Sequence, residues 1–445
     1  MKKILIIPGN TDLNRGDQAL VWESIHLAED AYGKGNVSCL IMSELDGIDS
    51  QMQNRQTAQL GYQFVNTLIK HPGRKFETRA ADSKGYSSIT LLQWGLQAVK
   101  DYLHTRLLLS TIGVIRNLGE IWLSKKEKET LRQLKESDVV FVKGGGFIHS
   151  YGSITDPYFI YYLTYHIRLA EAYGKDVILL PNSVGPLNNS IARRIALKAL
   201  KRCALLTVRE NISKEYLNEQ RIAAELYPDL GFFLKPSETD MGAYLSSKGI
   251  PLNQKKVVIT LRPYRFQGYK DSDRLFTNYI NTFVAFVRYL SEKGFHTTFM
   301  AHTLGPSSHE DDRIAIKDVL RALPEAIIKT TSYIEDSDLT CKEVEKIYSY
   351  YDYMVGTRFH SVIFSLNVGV PSIAIAYGGN KSKGIMNVLG NGNYSIDIDK
   401  VNDRKLIQLF DSLVKERVTY LANLSDKRNT INAQRNRLVE TIRGL

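Results

Sequence analysis

The sequence predicts an α/β fold built from two Rossmann-like domains that face a central cleft. Three observations lead there. Short apolar runs recur along the chain, most of them without the strict polar alternation of a sheet that is wet on one side, which suits strands covered on both faces. Helical patterns separate these runs, and strand and helix in alternation imply a parallel sheet with right-handed crossovers. The scheme then restarts after a polar stretch marked by Pro236 and Pro251, and 445 residues are more than one ordinary core organises.

The elements follow in order. The run Ile4–Ile7 reads as a first buried strand, because Pro8 and Gly9 end it too early for the core of a signal peptide. Val37–Met42, Val139–Val142, Val177–Leu180 and Leu205–Val208 continue the first sheet, with helices expected at Asp17–Tyr32, Tyr158–Tyr173 and Ile191–Cys203. In the second half Val257–Leu261, Thr297–Ala301, Tyr353–Val355 and Ser372–Ala376 read as strands, with helices near 275–293, 341–352 and 358–367. The expected division is a Rossmann-like domain at 1–240 with a helical insertion at about 85–130, a second Rossmann-like domain at 250–400, and helices at 401–445 packing across the junction.

Composition narrows the class. Hydrophobic residues at 43% and charged residues at 24% describe a globular chain rather than a disordered or fibrous one. An excess of 58 Lys and Arg over 47 Asp and Glu, net +11, favours an anionic partner, either a phosphorylated small molecule, an anionic membrane surface or nucleic acid, or else is a mildly basic surface and nothing more. Cys39, Cys203 and Cys341 lie far apart without a C-x-x-C pair, so neither a disulfide framework nor a structural zinc site is expected, and a reduced, cytoplasmic setting fits. No stretch approaches the roughly 20 apolar residues that span a bilayer.

The segment 87–123 stands outside the sheet pattern. Leu92, Leu96, Val99, Leu103 and Leu107 share one helical face, and Gln93, Gln97, Lys100, Asp101 and His104 the other. Basic residues flank it: Lys70, Arg74, Lys75, Arg79 and Lys84 before, Arg116, Lys125 and Lys126 after. It reads either as an insertion helix packed on its domain or as a peripheral contact with the inner face of the plasma membrane.

Four motifs carry chemistry. Gly9-Asn-Thr-Asp-Leu-Asn-Arg-Gly-Asp-Gln-Ala-Leu20 joins a strand to a helix and presents free backbone N–H groups at the carboxyl edge of a sheet. Asn10, Asn14 and Arg15 are candidate ligand contacts, while Asp17 either contacts ligand or caps the helix. Val142-Lys-Gly-Gly-Gly-Phe-Ile-His149 lets a backbone pass close to a ligand at Gly145, or makes a tight turn. Leu180-Pro-Asn-Ser-Val-Gly-Pro186 reads as a strand end opening into a polar turn, where Asn182 and Ser183 contact a hydroxyl or phosphate or simply satisfy the turn. Val355-Gly-Thr-Arg-Phe-His-Ser-Val-Ile363 places Arg358 and His360 where a strand hands over to an apolar helix. Arginine offers a bidentate fork for phosphate or carboxylate, and histidine carries a proton near neutral pH. Arg262 and His302 follow two other strands of the same half and should converge with Arg358 and His360 on an anionic ligand, with Lys383 at the rim. The acidic run Glu310, Asp311 and Asp312 reads as a solvated helix start, and no metal cluster is visible.

The ordered set N-R-G-D-Q-A-L, V-K-G-G-G-F, P-N-S-V-G-P, T-V-R-E-N-I-S-K-E-Y-L, Y-P-D-L-G-F and G-T-R-F-H-S-V-I-F-S-L-N-V-G-V-P resembles the polysaccharide pyruvyl transferase family over nearly the whole chain. The resemblance implies a GT-B-like glycosyltransferase architecture and transfer of a pyruvyl group from phosphoenolpyruvate onto two hydroxyls of a sugar, without a bound cofactor. It implies that Arg358 and His360 match the family's donor-binding Arg-x-His, and Arg262 an upstream donor arginine. Region 45–130 is longer than the family spacing. The expected acceptor is a surface-glycan sugar linked to undecaprenyl diphosphate, and no nucleic acid is expected. His360 or His302 would handle protons, and Asp17 or Asp229 would steady developing positive charge. Two other readings compete: a GT-B glycosyltransferase using a nucleotide sugar, which needs a ribose-binding Glu that is not evident, and a non-catalytic sugar-binding or assembly protein, which has no need of clustered donor-site cations.

Overall fold

The computed structural model describes residues 1–9, 11–70, 88–266, 269–308, 310–377 and 381–445. It divides into two compact units, one made of Met1–Asp12, Leu20–Leu230 and Gln434–Leu445, the other of Leu13–Ala19 and Gly231–Ala433. The last helix, Arg417–Arg443, therefore contributes residues to both. So does the helix Arg15–Tyr32 (α1), whose first turn belongs to the second unit. That placement corrects the expectation that the whole Asn10–Gln18 loop serves the first domain.

The first unit is one parallel sheet. Its strands are β1 (Lys2–Gly9), β2 (Val37–Ser43), β3 (Gln63–Asn66), β4 (Val139–Val142), β5 (Gly145–Ser150), β6 (Asp176–Leu187), β7 (Leu205–Val208) and β8 (Glu225–Leu226). They lie in the order β3-β2-β1-β4-β6-β7-β8, with β5 paired to β6 off this path. Every residue of β4 and of β7 is buried, which explains why these strands are solid apolar runs. The order reverses between β1 and β4, the kind of switch point where open α/β sheets bind ligands.

One expected turn, and one left open as an alternative, are strands instead. Pro181–Pro186 does not turn: β6 runs on to Leu187, and β5 pairs alongside it with Gly145 opposite Asn182 and Ile148 opposite Val184. Local Pro, Asn and Gly favour turns, but the tertiary pairing with the glycine-rich segment prevails.

Beside the sheet stand the helices α2 (Ser88–Arg106), α3 (Gly113–Ile121), α4 (Lys125–Glu136) and α5 (Asp156–Ala172). Ser124 and Glu127 form a capping box that starts α4, and α5 opens with a proline in its first turn. Helix α2 docks through its less apolar side. Trp94 meets Phe159 edge-on, Asp101 accepts from the Tyr158 hydroxyl at 2.6 Å, and Thr105 bonds Tyr161 at 2.9 Å. Leu92, Leu96, Val99 and Leu103 are exposed.

The second unit repeats the topology. Its strands β9 (Lys256–Thr260), β10 (His296–Met300), β11 (Thr331–Ile334), β12 (Tyr353–Gly356), β13 (Ser372–Ala376) and β14 (Ser395–Asp397) lie in the order β11-β10-β9-β12-β13-β14. This is the doubly wound order 3-2-1-4-5-6, with its reversal between β9 and β12. The helices that matter for the site are α6 (Ser272–Glu292), α7 (Asp312–Ala322), α8 (Cys341–Tyr348) and α9 (Phe359–Asn367).

Candidate active site

The site is built where the second sheet reverses. β9 ends at Thr260 and delivers Arg262; β12 ends at Gly356 and delivers Arg358 and His360 at the start of α9. The turn is fixed from below: the Thr357 amide donates to the Thr260 carbonyl at 3.0 Å, and the Thr260 and Ser361 hydroxyls meet at 2.7 Å. Tyr279, fully buried on α6, accepts from the Arg262 amide at 3.3 Å and reaches the Thr357 hydroxyl at 3.4 Å, so one phenol ties the two strand ends together.

Arg358 is buried and its fork is divided. Nε donates to Asp312 Oδ1 at 2.7 Å, while Nη2, also out of solvent, has no hydrogen-bond partner among the described residues. Arg262 lies with its guanidinium 4.1 Å from the ring centre of Tyr377, and its Nε likewise lacks a partner among the described residues. A buried donor left unpaired is destabilising by about 1–3 kcal/mol, and an anion at these strand ends would satisfy both donors. The face of Tyr377 holds the Arg262 cation without occupying its N–H groups.

Asp312 is the residue that sequence reasoning missed. The acidic run is not a solvated helix start at this position. Asp312 is completely buried; one carboxylate oxygen holds Arg358 and the other accepts from the amides of His302 and Thr303 at 3.0 and 2.9 Å. Burial pushes its carboxyl up to about 6, against the downward pull of Arg358 and the Thr303 amide. The signal lay in the other partner: an arginine destined for burial at a strand end needs an anion nearby.

His302 keeps only one of the parts expected of it. Burial, and then the charges of His360, Arg358 and Arg15, hold its imidazole well below the usual histidine range. Its Nδ1 lies 3.2 Å from the Tyr348 hydroxyl and its ring stands edge-on to Phe364. A lowered pKa leaves it neutral at neutral pH, which, of the two proton-handling roles read from the sequence, suits a base and not an acid. Its Nε2 is without a partner among the described residues.

The segment Leu13–Ala19 joins this same unit. The Leu304 amide donates to the Leu13 carbonyl at 2.9 Å and the Arg15 amide to the His302 carbonyl at 3.2 Å, an antiparallel bridge alongside the end of β10. Gly16 then packs on the imidazole of His360; a Cβ there would stand 2.3 Å from Nδ1. Arg15 corrects an expectation. Its side chain is 1% exposed and its guanidinium donates to the carbonyls of Asp336 and Ser337 at 3.2 and 3.0 Å, so it anchors the loop rather than reaching for ligand. Asn14 Oδ1 accepts from the amides of Gly16 and Asp17, and its Nδ2 donates to Asp17 Oδ2 at 2.8 Å, a reciprocal cap that leaves both half-buried. Asn10 lies outside the described residues.

Lys383 is engaged elsewhere, in an ion pair with Asp397 at 2.8 Å. In the first unit, Gly145 (φ +148°) begins β5 beside Asn182. Asn182 is fully buried, and its Nδ2 donates to the carbonyls of Lys143 and Leu180. Ser183 accepts from Arg209 Nε at 2.8 Å, and Arg209 is ion-paired with Asp229. These groups tie β6 to the turn before β5 and to the chain that follows β7 and β8. The structure thus gathers Arg262, His302, Arg358, His360, Asn14 and Asp17 in one unit, and gives Asn182, Ser183 and Asp229 structural partners.

Two parallel sheets of Rossmann order, each in its own unit, define an α/β protein of the GT-B-like class. The UDP co-structure of MnaA from S. aureus matches with a TM-score of 0.56 at 10% identity, covering 95% of this chain and 91% of that one. The UDP-GlcNAc 2-epimerase from Neisseria meningitidis bound to UDP-GlcNAc matches at 0.55 and 12%, over 99% of both chains. UGT2 of Phytolacca americana gives 0.53 and 12%, over 100% of this chain and 98% of the other. At such identities the likeness is one of fold. The polysaccharide pyruvyl transferase model matches residues 54–379, and the chain belongs to that family. It is also similar to the amylovoran biosynthesis protein AmsJ of Erwinia amylovora, 24% identical over 423 residues that make up 91% of this chain and 90% of that protein.

Proposed function

We propose that the chain moves a pyruvyl group from phosphoenolpyruvate onto two hydroxyls of a sugar in bacterial surface-polysaccharide synthesis. The observation that carries this is the pair of buried donors, Arg358 Nη2 and Arg262 Nε, that have no partner among the described residues at the reversal of the second sheet. Phosphoenolpyruvate brings a phosphate and a carboxylate, which two planar forks and the N-terminus of α9 are suited to receive. His360, held by Gly16, protonates the donor's methylene carbon to a methyl group. A sugar hydroxyl attacks the adjacent carbon, its bond to the phosphate oxygen breaks, and the second hydroxyl closes the ketal. Of the two hydroxyl protons, one restores the acid and the other leaves with the phosphate. Asp17, next to the glycine that packs on His360, is the carboxylate that steadies the positive charge built up on the way.

Membership of the family supports a pyruvyl transferase, and the AmsJ relative supports a polysaccharide intermediate as acceptor. We place that acceptor among undecaprenyl-diphosphate-linked glycans. Three free cysteines suit a reducing, cytoplasmic setting. The test is release of inorganic phosphate from phosphoenolpyruvate that depends on added glycan acceptor, with mass spectrometry of the product. Release without acceptor, or binding of a nucleotide sugar but not of phosphoenolpyruvate, defeats the proposal and favours a nucleotide-sugar glycosyltransferase.

A further inference from the structure

We infer that α2 and α3 form a docking face for an anionic lipid bilayer. The inference stands whichever donor the site binds. An ordinary surface helix turns its apolar stripe to the core and its polar side to water. Helix α2 is mounted the other way round. At 100° per residue Ile89, Leu92, Leu96, Val99 and Leu103 fall within an arc of about 80°, and all of them face solvent, Leu96 at 66% exposure and Leu103 at 61%. The opposite side, with Trp94, Asp101 and Thr105, is the one packed on α5.

Helix α3 repeats the inversion. Gly119 is its buried residue, so close to Leu107 that a Cβ would stand 2.9 Å from the Leu107 Cβ. Arg116 sits 4.5 Å above the ring of Tyr173. Val114, Leu118, Ile121 and the following Trp122 are exposed. Buried Asp101 and Thr105 hold α2, and Gly119 with the half-buried Arg116 holds α3, so the outward stripe is a fixed feature rather than a face turned out for want of an anchor.

Charge selects the occupant. The acids nearby are already engaged within the chain: Glu120 pairs with Lys135 and Glu129 with Arg132, while Glu127 is held in the Ser124 capping box. The bases are not. Lys100, Arg106, Lys125 and Lys128 are exposed and form no ion pair among the described residues. A second copy of the chain would bring these like charges together, whereas a layer of anionic headgroups satisfies them while acyl chains receive the leucines. No helix among the described residues is long and apolar enough to cross a membrane, so the face lies on the bilayer.

The chain carries its own probe. Trp22 and Trp94 are each 4% exposed, whereas Trp122 is 68% exposed. Vesicles of phosphatidylcholine with phosphatidylglycerol should bind the protein in a salt-sensitive way, shift tryptophan emission to the blue and allow quenching by brominated acyl chains; pure phosphatidylcholine should bind it weakly. Trp122→Phe should abolish the shift. L96E/L103E should weaken binding by at least about tenfold with the melting temperature unchanged, since both leucines already meet water. Unchanged vesicle binding by a folded L96E/L103E protein overturns the inference. So does an unshifted Trp122 in the native chain, which settles the matter even if the double variant does not fold. A dimer that L96E/L103E dissociates, without vesicle binding by the native protein, assigns the face to a second copy and overturns it too.

Discussion

Arg358→Lys keeps the charge at the centre of the proposed donor site and removes only the fork. In the native chain one edge of that fork holds Asp312 at 2.7 Å and Nη2 remains for a ligand. A lysine ammonium is a single point on a flexible stem and cannot serve the carboxylate and a phosphate with the same geometry. It stays with Asp312, because a buried carboxylate left alone is the more costly outcome. The loss to the donor is one charged hydrogen bond, about 1.5–3 kcal/mol, which corresponds to a dissociation constant raised roughly ten- to 150-fold. Titration calorimetry with phosphoenolpyruvate at fixed salt reads this directly, with a melting curve to confirm that the fold survives. If the native protein binds phosphoenolpyruvate and the folded Arg358→Lys variant binds it within a factor of two, the divided fork is not the donor's contact and the reasoning fails.

His360→Ala should lower turnover by on the order of 10²–10⁴, the range of general acid–base catalysis, while phosphoenolpyruvate affinity changes far less; equal losses in both would make it a binding group. Gly16→Ala places a methyl group 2.3 Å from His360 Nδ1 and should depress kcat through displacement of the ring; full activity with the fold intact would show that the loop yields instead. His166 accepts from the Leu68 amide at 3.1 Å, and burial holds it down at about 3. The unfolded chain takes up that proton near pH 6.5 and the folded one does not, so the stability it contributes is present above pH 6.5 and declines by up to about 1.4 kcal/mol per pH unit as pH falls towards 3. Melting temperatures of native and His166→Gln proteins between pH 7 and 4 should therefore converge on acidification, and parallel curves would refute the assignment.

The interior strands were legible because burial on both faces writes itself as unbroken apolar runs; Val139–Val142 and Leu205–Val208 match to the residue. The edge and short strands Gln63–Asn66, Glu225–Leu226, Thr331–Ile334 and Ser395–Asp397 were not, since partial burial leaves no such pattern. In the site, Arg262, Arg358 and His360 were readable as basic residues following strands. Asp312 was not, because its partner lies 46 residues away and nothing local distinguishes a buried carboxylate from the solvated ones beside it. Helix α2 shows the same limit from the other direction. Periodicity located its apolar face but could not say which way the face points, and that is decided by Tyr158 and Tyr161 on another helix.

The carboxylate of Asp312 beneath Arg358 also bears on how the site lets go. A buried arginine with no counterion, backed by a second at Arg262, would retain inorganic phosphate, the leaving group of the proposed reaction, and turnover would stall on product. Here any arriving anion displaces nothing from Nε and must share the arginine with a resident that never departs. Its attraction is lessened for every ligand alike. A donor with both a phosphate and a carboxylate would recover the difference through its second charged group at Arg262; phosphate alone would not. On the proposed reaction the internal ion pair would act as a resident rival to every ligand, shortening the stay of phosphate more than that of the donor.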